Sequence, residues 1–307
     1  MAESHSPSAA DVWTTRRLLA WIAEALTGAG VDSPRLCAEL LLAHVIGCDR
    51  LRLYVESDRP ASPIERTQLR ELVSRALKHE PVQYLVGEAW FFSLPFAVDQ
   101  RVLIPRPETE TIVEAVLQQA RATPELGRGV IADIGTGSGC IITALLKNLP
   151  EAHGIAVDTS PDALAVAKAN AERHGVSDRL DLVESDLFAK FDAHPGARGL
   201  DVLVSNPPYI PDPEWDDVPA NVRQEPVIAL RGGPDGLQFI RPIVAGAAER
   251  LRPGGMLAVE FAESTADEVL ALATAQPELC DQRIERDFQG KPRVLIAHRR
   301  GYVAGHV

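Results

Sequence analysis

Apolar residues follow a helical rhythm in the first quarter of the chain and short continuous runs in the rest. Leu18, Leu19, Ile22, Ala25 and Leu26 form one stripe, the spacing of a helix with one buried face. Gly28 and Gly30 stop it. Ser33-Pro34 opens a second helix with a cap and a proline in the first turn; it carries Leu36, Leu40 and Leu41 and ends near Gly47. A third begins at Ser62 and carries Leu69, Leu72, Val73 and Leu77. Residues 11–80 thus predict a small helical bundle, and residues 1–10, rich in Ser, Ala and Pro, predict a disordered tail. At residues 81–102 the pattern changes. Trp90-Phe91-Phe92 and Phe96-Ala97-Val98 flank Ser93-Leu94-Pro95, which predicts a β-hairpin linker. Residues 103–307 alternate between apolar runs at 129–132, 153–157, 180–186, 200–205 and 256–261 and helical stretches such as 236–251 and 265–275. Such alternation predicts an α/β domain with a parallel sheet. The runs at 283–288 and 292–297, with a turn at Gln289-Gly290, predict a closing antiparallel pair.

The chemistry lies where these runs end. Asn206-Pro207-Pro208-Tyr209 follows the apolar run at 200–205. Two prolines cannot continue a sheet ladder, so the strand stops and a rigid turn begins, with a polar amide at its lip and an aromatic ring beyond. Such a turn can grip a planar amide or amino group. Asp133-Ile134-Gly135-Thr136-Gly137-Ser138-Gly139 lies between a strand and a helix. Its glycines permit a tight turn and close approach to a ligand, and the helix start favours a carboxylate or phosphate. Asp158 ends the next strand, where an acid meets ribose hydroxyls. It also precedes Thr159-Ser160-Pro161, where an acid serves a helix start, and both readings hold. Asp186, Leu187 and Phe188 end the third strand, where a polar group and apolar side chains can bracket an adenine, although Phe188 alone reads as core. Four strand ends at one edge of a parallel sheet form a ligand crevice. Its inferred occupant is S-adenosylmethionine.

Asp133 to Gly139 (with Gly135, Thr136, Gly137, Ser138 and Gly139), Asp158 and Asn206 to Tyr209 resemble the S-adenosylmethionine-dependent methyltransferases that modify planar exocyclic or amide nitrogens. The segment 103–110, containing Arg106, Glu108 and Thr109, resembles the protein-glutamine N5-methyltransferases that act on the Gly-Gly-Gln loop of peptide chain release factors. So do residues 33–42, 81–87, Glu225-Pro226 and 232–237. The resemblance covers roughly residues 12–300. It implies a Rossmann-like, seven-stranded methyltransferase domain behind an N-terminal domain that recognises the partner's body. It also implies that Asn206, Pro207, Pro208 and Tyr209 hold the reacting amide. Gly135 to Gly139, Asp158, Asp186, Leu187 and Asn206 then hold the cofactor. Arg106, Glu108 and Thr109 close over it, although Thr109 with Glu110 reads equally as a helix cap. Two stretches depart from the family pattern. Glu260-Phe261-Ala262-Glu263-Ser264 lacks the usual Gly and Gln, and Gln224 stands where an aromatic often precedes Glu-Pro.

Composition narrows the partners. The 307 residues carry a formal net charge of −12, which argues against stable binding to a bare nucleic-acid backbone. The four cysteines are far apart and the eight histidines have no ligand spacing, so no metal site is expected. No apolar run reaches the roughly 18 residues of a membrane span, and the start lacks a signal-peptide pattern. A cytoplasmic monomer acting on release factors is expected. Two rival enzymes use the same turn: a glutamine methyltransferase of a ribosomal protein, and an adenine-N6 nucleic-acid methyltransferase. A non-catalytic adaptor leaves the intact Gly loop and Asn206 turn unexplained, and a NAD-dependent oxidoreductase leaves the turn unexplained.

Overall fold

A computed structural model describes residues 12–301, so the tail expected at residues 1–10 lies outside the described residues. The chain divides into two compact units, one reaching to Gly87 with Ala220–Gln224, the other comprising Glu88–Pro219 and the remainder from Glu225.

The first unit is helical: α1 (Thr15–Gly28), α2 (Pro34–Ile46), α3 (Arg50–Val55), α4 (Pro63–Ala76) and α5 (Val82–Val86). Thr14, Asp49 and Ser62 accept from backbone N–H groups of the first turns of α1, α3 and α4, and Glu65 completes a capping box with Ser62. Leu18, Ile22, Leu26, Leu41, Leu42, Leu69 and Val73 share one core. Val82 and Leu85 of α5 belong to the same core. Residues 82–86 are therefore helix rather than part of a hairpin linker. Three-residue spacing of two apolar side chains buries one face, and Gly87, at φ +72°, ends the turn.

The second unit opens with a short hairpin, β1 (Glu88–Phe91) and β2 (Leu94–Ala97). Its register pairs Phe91 with Leu94 and Trp90 with Pro95. The turn is thus Phe92-Ser93, both at positive φ, as a two-residue hairpin turn of this twist requires. This is one step earlier than the aromatic pattern predicts, and it buries Phe91 and Phe96 while leaving Trp90 exposed.

Then follow α6 (Glu110–Ala122), β3 (Val130–Ile134), α7 (Cys140–Asn148), β4 (His153–Asp158), α8 (Pro161–Arg173), β5 (Leu180–Glu184), β6 (Leu200–Ser205), α9 (Ile240–Arg250), β7 (Leu251–Glu260), α10 (Ala266–Thr274), β8 (Leu279–Arg286) and β9 (Pro292–Arg299). The expected seven-stranded sheet has the order β5-β4-β3-β6-β7-β9-β8. The first five strands of that order run parallel, and β9 and β8 close the edge antiparallel. Both faces are covered, which is why the strands read as continuous apolar runs. Ile131, Val202, Val204, Met256 and Ala258 face one core, and Ala132, Leu203, Leu257 and Val259 face the other. Strand order reverses at β3, with β4 on one side and β6 on the other. The crevice of such a sheet lies there, beyond the carboxyl ends of the strands.

Candidate active site

Two neighbouring strands deliver the two motifs. After β3, Gly135, Gly137 and Gly139 all adopt positive φ, at +76°, +54° and +75°. The N–H groups of Gly135 and Thr136 donate to Val157 O at 2.8 and 2.9 Å, which folds the loop over the end of β4. A Cβ on Gly139 would sit 3.0 Å from the Cβ of Ala167 and 3.1 Å from its Cα. This glycine lets α7 and α8 pack together. A Cβ on Gly135 or Gly137 would meet no atom within 4 Å, so these two present backbone to open space.

Asp158 ends β4. Its carboxylate accepts from Gly137 N at 2.9 Å and from Ser160 N at 2.9 Å. It is therefore both the clamp of the glycine loop and the acid at the start of α8. Burial pushes its carboxyl above the usual carboxylate range, and the N–H groups of Ser160, Gly137 and Thr159 oppose the rise.

Asp133 opens the glycine motif and lies beneath the loop, a role its place in the motif does not announce. It is fully buried. Thr136 Oγ1 donates to its Oδ2 at 2.7 Å, and its Oδ1 has no hydrogen-bond partner among the described residues. Burial pushes this carboxyl up to about 7. The Thr136 hydroxyl opposes the rise, and the charge of Asp158 adds to it.

After β6, Ser205 Oγ donates to Ile134 O at 2.6 Å and ties the two strand ends together. Asn206 Nδ2 donates to Thr109 Oγ1 at 3.1 Å. Asn206 Oδ1 and the Pro207 carbonyl have no donor among the described residues. Glycines hold this corner from behind. A Cβ on Gly232 would lie 2.7 Å from the Cα of Tyr209, and one on Gly236 would lie 2.5 Å from its carbonyl oxygen. That close approach explains the glycines of 232–236 as packing partners of the Asn206 turn.

A cavity of about 390 Å³ joins the strand ends. Arg106, Thr109, Gly135, Thr136, Gly137, Ser138, Asp158, Asp186, Leu187, Asn206 and Pro208 line it. Glu108, Gly139, Pro207 and Tyr209 do not. Tyr209 points away, its ring against the core below the sheet and its hydroxyl donating to Glu260 Oε1 at 3.2 Å. Phe188 stacks under the guanidinium of Arg250, 3.8 Å from the ring centre, and serves packing. None of the hairpin aromatics lines the cavity. The hairpin is instead stitched by Asn170, which accepts from Ala97 N at 2.8 Å and donates to Ala97 O at 3.0 Å and Ser138 O at 2.8 Å. Cys140 also lines the cavity, but burial pushes its thiol up to about 12, so it stays protonated.

The segment before α6 is fastened by a residue whose role the sequence did not reveal. Glu225, almost fully buried, accepts from Ile104 N at 2.9 Å and from Arg106 at 2.5 Å. The stretch 210–219 contains a 3₁₀ turn at Asp212–Asp217. It is strapped by Asp212 to Arg231 at 2.8 Å and by Arg231 over the ring of Trp215.

The donor set fits S-adenosylmethionine. Open backbone at Gly135 and Gly137 suits the amino-acid end, the carboxylate of Asp158 suits ribose hydroxyls, and Asp186 with Leu187 suits an adenine edge and face. Residues 17–87 match the PrmC N-terminal domain family and residues 111–221 the methyltransferase small domain family. A release factor glutamine methyltransferase of Geobacter sulfurreducens is 43% identical over 93% of this chain and 96% of its own length. One of Rhodopirellula baltica is 40% identical over 92% and 95%. The crystal structure of the hMettl16 catalytic domain in complex with MAT2A 3′UTR hairpin 1 is 17% identical. It superposes with a TM-score of 0.54 over 81% of this chain and 86% of that one, a likeness of fold alone. The chain is an enzyme and its cofactor is S-adenosyl-L-methionine. With relatives of this identity along nearly its whole length, it belongs to the release factor glutamine methyltransferase family.

Proposed function

We propose that this chain transfers a methyl group from S-adenosylmethionine to the side-chain amide nitrogen of the glutamine in the Gly-Gly-Gln motif of peptide chain release factors. One observation carries the reading. The Asn206 amide is held by its nitrogen on Thr109, so its oxygen is free at the lip of the cavity, one strand away from the glycine loop. An acceptor at that place suits a substrate NH₂ group.

A glutamine amide nitrogen is a poor nucleophile because its lone pair is delocalised into the carbonyl. S-adenosylmethionine, when bound, supplies an electrophilic methyl on a sulfonium. The protein's part is to hold the nitrogen. Asn206 Oδ1, on the cavity wall, accepts one N–H, and the Pro207 carbonyl, just outside the lining between Asn206 and Pro208, accepts the other, which turns the lone pair away from them. Individual hydrogen bonds of this kind contribute about 1 kcal/mol net, whereas orienting the reactants contributes about 7–11 kcal/mol. Pro207 and Pro208 supply that orientation by fixing the backbone. Pro208, on the cavity wall, packs against the amide plane; Tyr209 braces the turn from behind rather than stacking on the substrate. No His or Lys lines the cavity. None is needed before transfer, since the nitrogen becomes acidic only after it gains the methyl group. Arg106 and Glu108 shape the segment that closes the cofactor end, and Gly139 sets the loop's packing.

The division of labour follows the two units. The helical unit recognises the body of the release factor, and the sheet unit carries out the transfer. No described helix is long and apolar enough to cross a membrane. A cytoplasmic monomer without stable nucleic-acid binding is consistent with the charge of −12. Incubating purified enzyme and cofactor with release factor, a ribosomal-protein mixture, or DNA and RNA tests the reading by mass spectrometry. A single added methyl on the Gly-Gly-Gln glutamine is expected; methyl on adenine or on a ribosomal glutamine instead would overturn it.

A further inference from the structure

The turn after β5 carries part of the cavity wall on a strained backbone. Ser185, Asp186 and Leu187 line the cavity. Leu187 sits at φ +47°, a conformation that a bulky residue keeps only where its surroundings hold it. The turn supplies part of that hold itself: Ser185 Oγ accepts from Lys190 N at 2.8 Å and from Phe191 N at 3.1 Å. The rest comes from Arg250, the last residue of α9, whose side chain is 7% exposed. Its Nε donates to Asp192 Oδ1 at 2.9 Å, and a terminal nitrogen donates to Asp192 Oδ2. Its other terminal nitrogen donates to Gly246 O at 2.7 Å. The guanidinium lies 3.8 Å from the centre of the Phe188 ring. One buried side chain thus grips the turn at Phe188 and Asp192, neither of which lines the cavity. Gly246 makes room for the grip. A Cβ there would lie 2.7 Å from an Arg250 terminal nitrogen and 2.8 Å from the Phe188 ring.

We propose that Arg250 is a positioning residue for the adenine of S-adenosylmethionine, acting through Phe188 and Asp192 to hold Asp186 and Leu187 against the base. The inference rests on the placement of the adenine at Asp186 and Leu187 given above. A buried ion pair adds little net stability over apolar residues of the same volume. What this one supplies is direction. The guanidinium is planar, its edge forks onto both oxygens of Asp192 and its face covers the Phe188 ring, so one rigid group fixes both. Asp192 also meets Arg198 at 3.7 Å, but that side chain is 45% exposed and the contact is the longer one. Phe188 follows Leu187 directly. A fixed ring therefore fixes the left-handed residue beside it, and with it the side of the turn that faces the cavity. An ionised carboxylate only accepts. Asp186 held in place therefore favours adenine, whose edge carries an NH₂ group, over hypoxanthine, whose edge carries a carbonyl oxygen there.

Titration calorimetry with S-adenosylhomocysteine and with S-inosylhomocysteine, which has a carbonyl oxygen in place of the base NH₂, reads the base contact directly. The wild-type enzyme should prefer the adenine form by about tenfold or more, the scale of one hydrogen bond to a charged group. Arg250→Lys keeps the charge but has neither the fork nor the flat face. It should lose about tenfold in affinity for the adenine form and about threefold at most for the inosine form, so that the preference collapses. At saturating S-adenosylmethionine its kcat, and its KM for release factor, should stay within about threefold, since the Asn206 corner follows a different strand. Equal loss of both ligands, or a preference as in wild type, would overturn the proposal. If Arg250→Lys fails to fold, Phe188→Leu decides. It keeps apolar bulk, removes the ring face and should lower the preference about threefold; an unchanged preference would overturn the proposal. Asp186→Ala separates the inference from the reading beneath it. A wild-type preference in that variant would overturn the adenine placement and the proposal with it. A lost preference there, beside a retained one in Arg250→Lys, would overturn the role of Arg250 alone.

Discussion

Glu39 of the helical unit and Glu260 of the sheet unit are both buried, and the two are treated in opposite ways. Glu39 of the helical unit is 5% exposed. Its Oε2 accepts from both Nε and a terminal nitrogen of Arg50, at 3.0 and 2.6 Å, and its Oε1 accepts from Arg35 at 3.2 Å and from the Tyr54 hydroxyl. Burial alone would push Glu39 up, but Tyr54, Arg50 and Arg35 together hold it below the usual carboxylate range. Glu260 of the sheet unit is buried with the Tyr209 hydroxyl on one oxygen and no hydrogen-bond partner on the other among the described residues, and burial pushes it up to about 7. Asp133 repeats the pattern under the glycine loop. A buried carboxylate with a full set of cationic donors is a staple. One left short of donors is held ready to titrate or to orient a neighbour, which is the arrangement expected of a functional site.

The largest effect should come from the turn that Glu260 braces. Asn206→Ala is expected to lower kcat by about 10²–10³, as for removal of one preorganised polar group at a reacting centre, with the melting temperature unchanged. Single-turnover transfer to release factor measures it, and wild-type rates would dissolve the contrast between the two glutamates. Next comes Asp158, a half-buried acid that lines the cavity and has no cation on it among the described residues. Asp158→Ala should weaken S-adenosylmethionine binding about 10–100-fold, the value of a lost hydrogen bond to a charged group. Titration calorimetry reads it, and unchanged affinity would remove Asp158 from the site.

On the other side of the comparison, Glu39→Gln should leave transfer chemistry intact and cost stability. Arg35 and Arg50 are 60% and 52% exposed at the side chain and regain water when unpaired, so the loss should be about 1–2 kcal/mol rather than that of a deeply buried pair. Denaturant unfolding followed in the helical unit checks it; a fall in kcat as large as that of Asn206→Ala would erase the distinction.

The smallest effect is one of sign. Glu39 has a depressed folded-state pKa. Its contribution is present above the ordinary carboxylate value and disappears as pH falls through the depressed one. Asp133 has a raised pKa. Its contribution is full below the ordinary carboxylate value and is gone once the pH has risen through about 7. Thermal scans from pH 4 to 8 should show Asp133→Asn gaining on wild type as pH rises toward about 7, by at most about 1.4 kcal/mol per pH unit. They should show Glu39→Gln losing its disadvantage only toward acid pH.

Local patterns were legible in the chain. Apolar runs marked β3, β4, β5, β6 and β7, Gly135 to Gly139 marked the loop, and Pro207-Pro208 marked the turn, because each rests on neighbours in sequence. Where local reading slipped, the cause was a short element. In α5 two apolar residues look the same in a strand or a helix until Val82 and Leu85 find the helical core. The Phe92-Ser93 turn carries no glycine to announce its positive φ.

By itself, then, the sequence determined the alternation of strands and helices, the two ligand turns and the family. Only the tertiary structure decided which buried acids are staples and which are poised, since that depends on partners distant in the chain. Thr109 and Asn206 are 97 positions apart, and Tyr209 and Glu260 are 51. Sheet order sets β6 beside β7 and so brings Tyr209 to Glu260, while the turn before α6 brings Thr109 to Asn206. A carboxylate's pKa and an amide's orientation follow from burial and from the donors within about 3 Å, and neither quantity is carried by any stretch of sequence read alone.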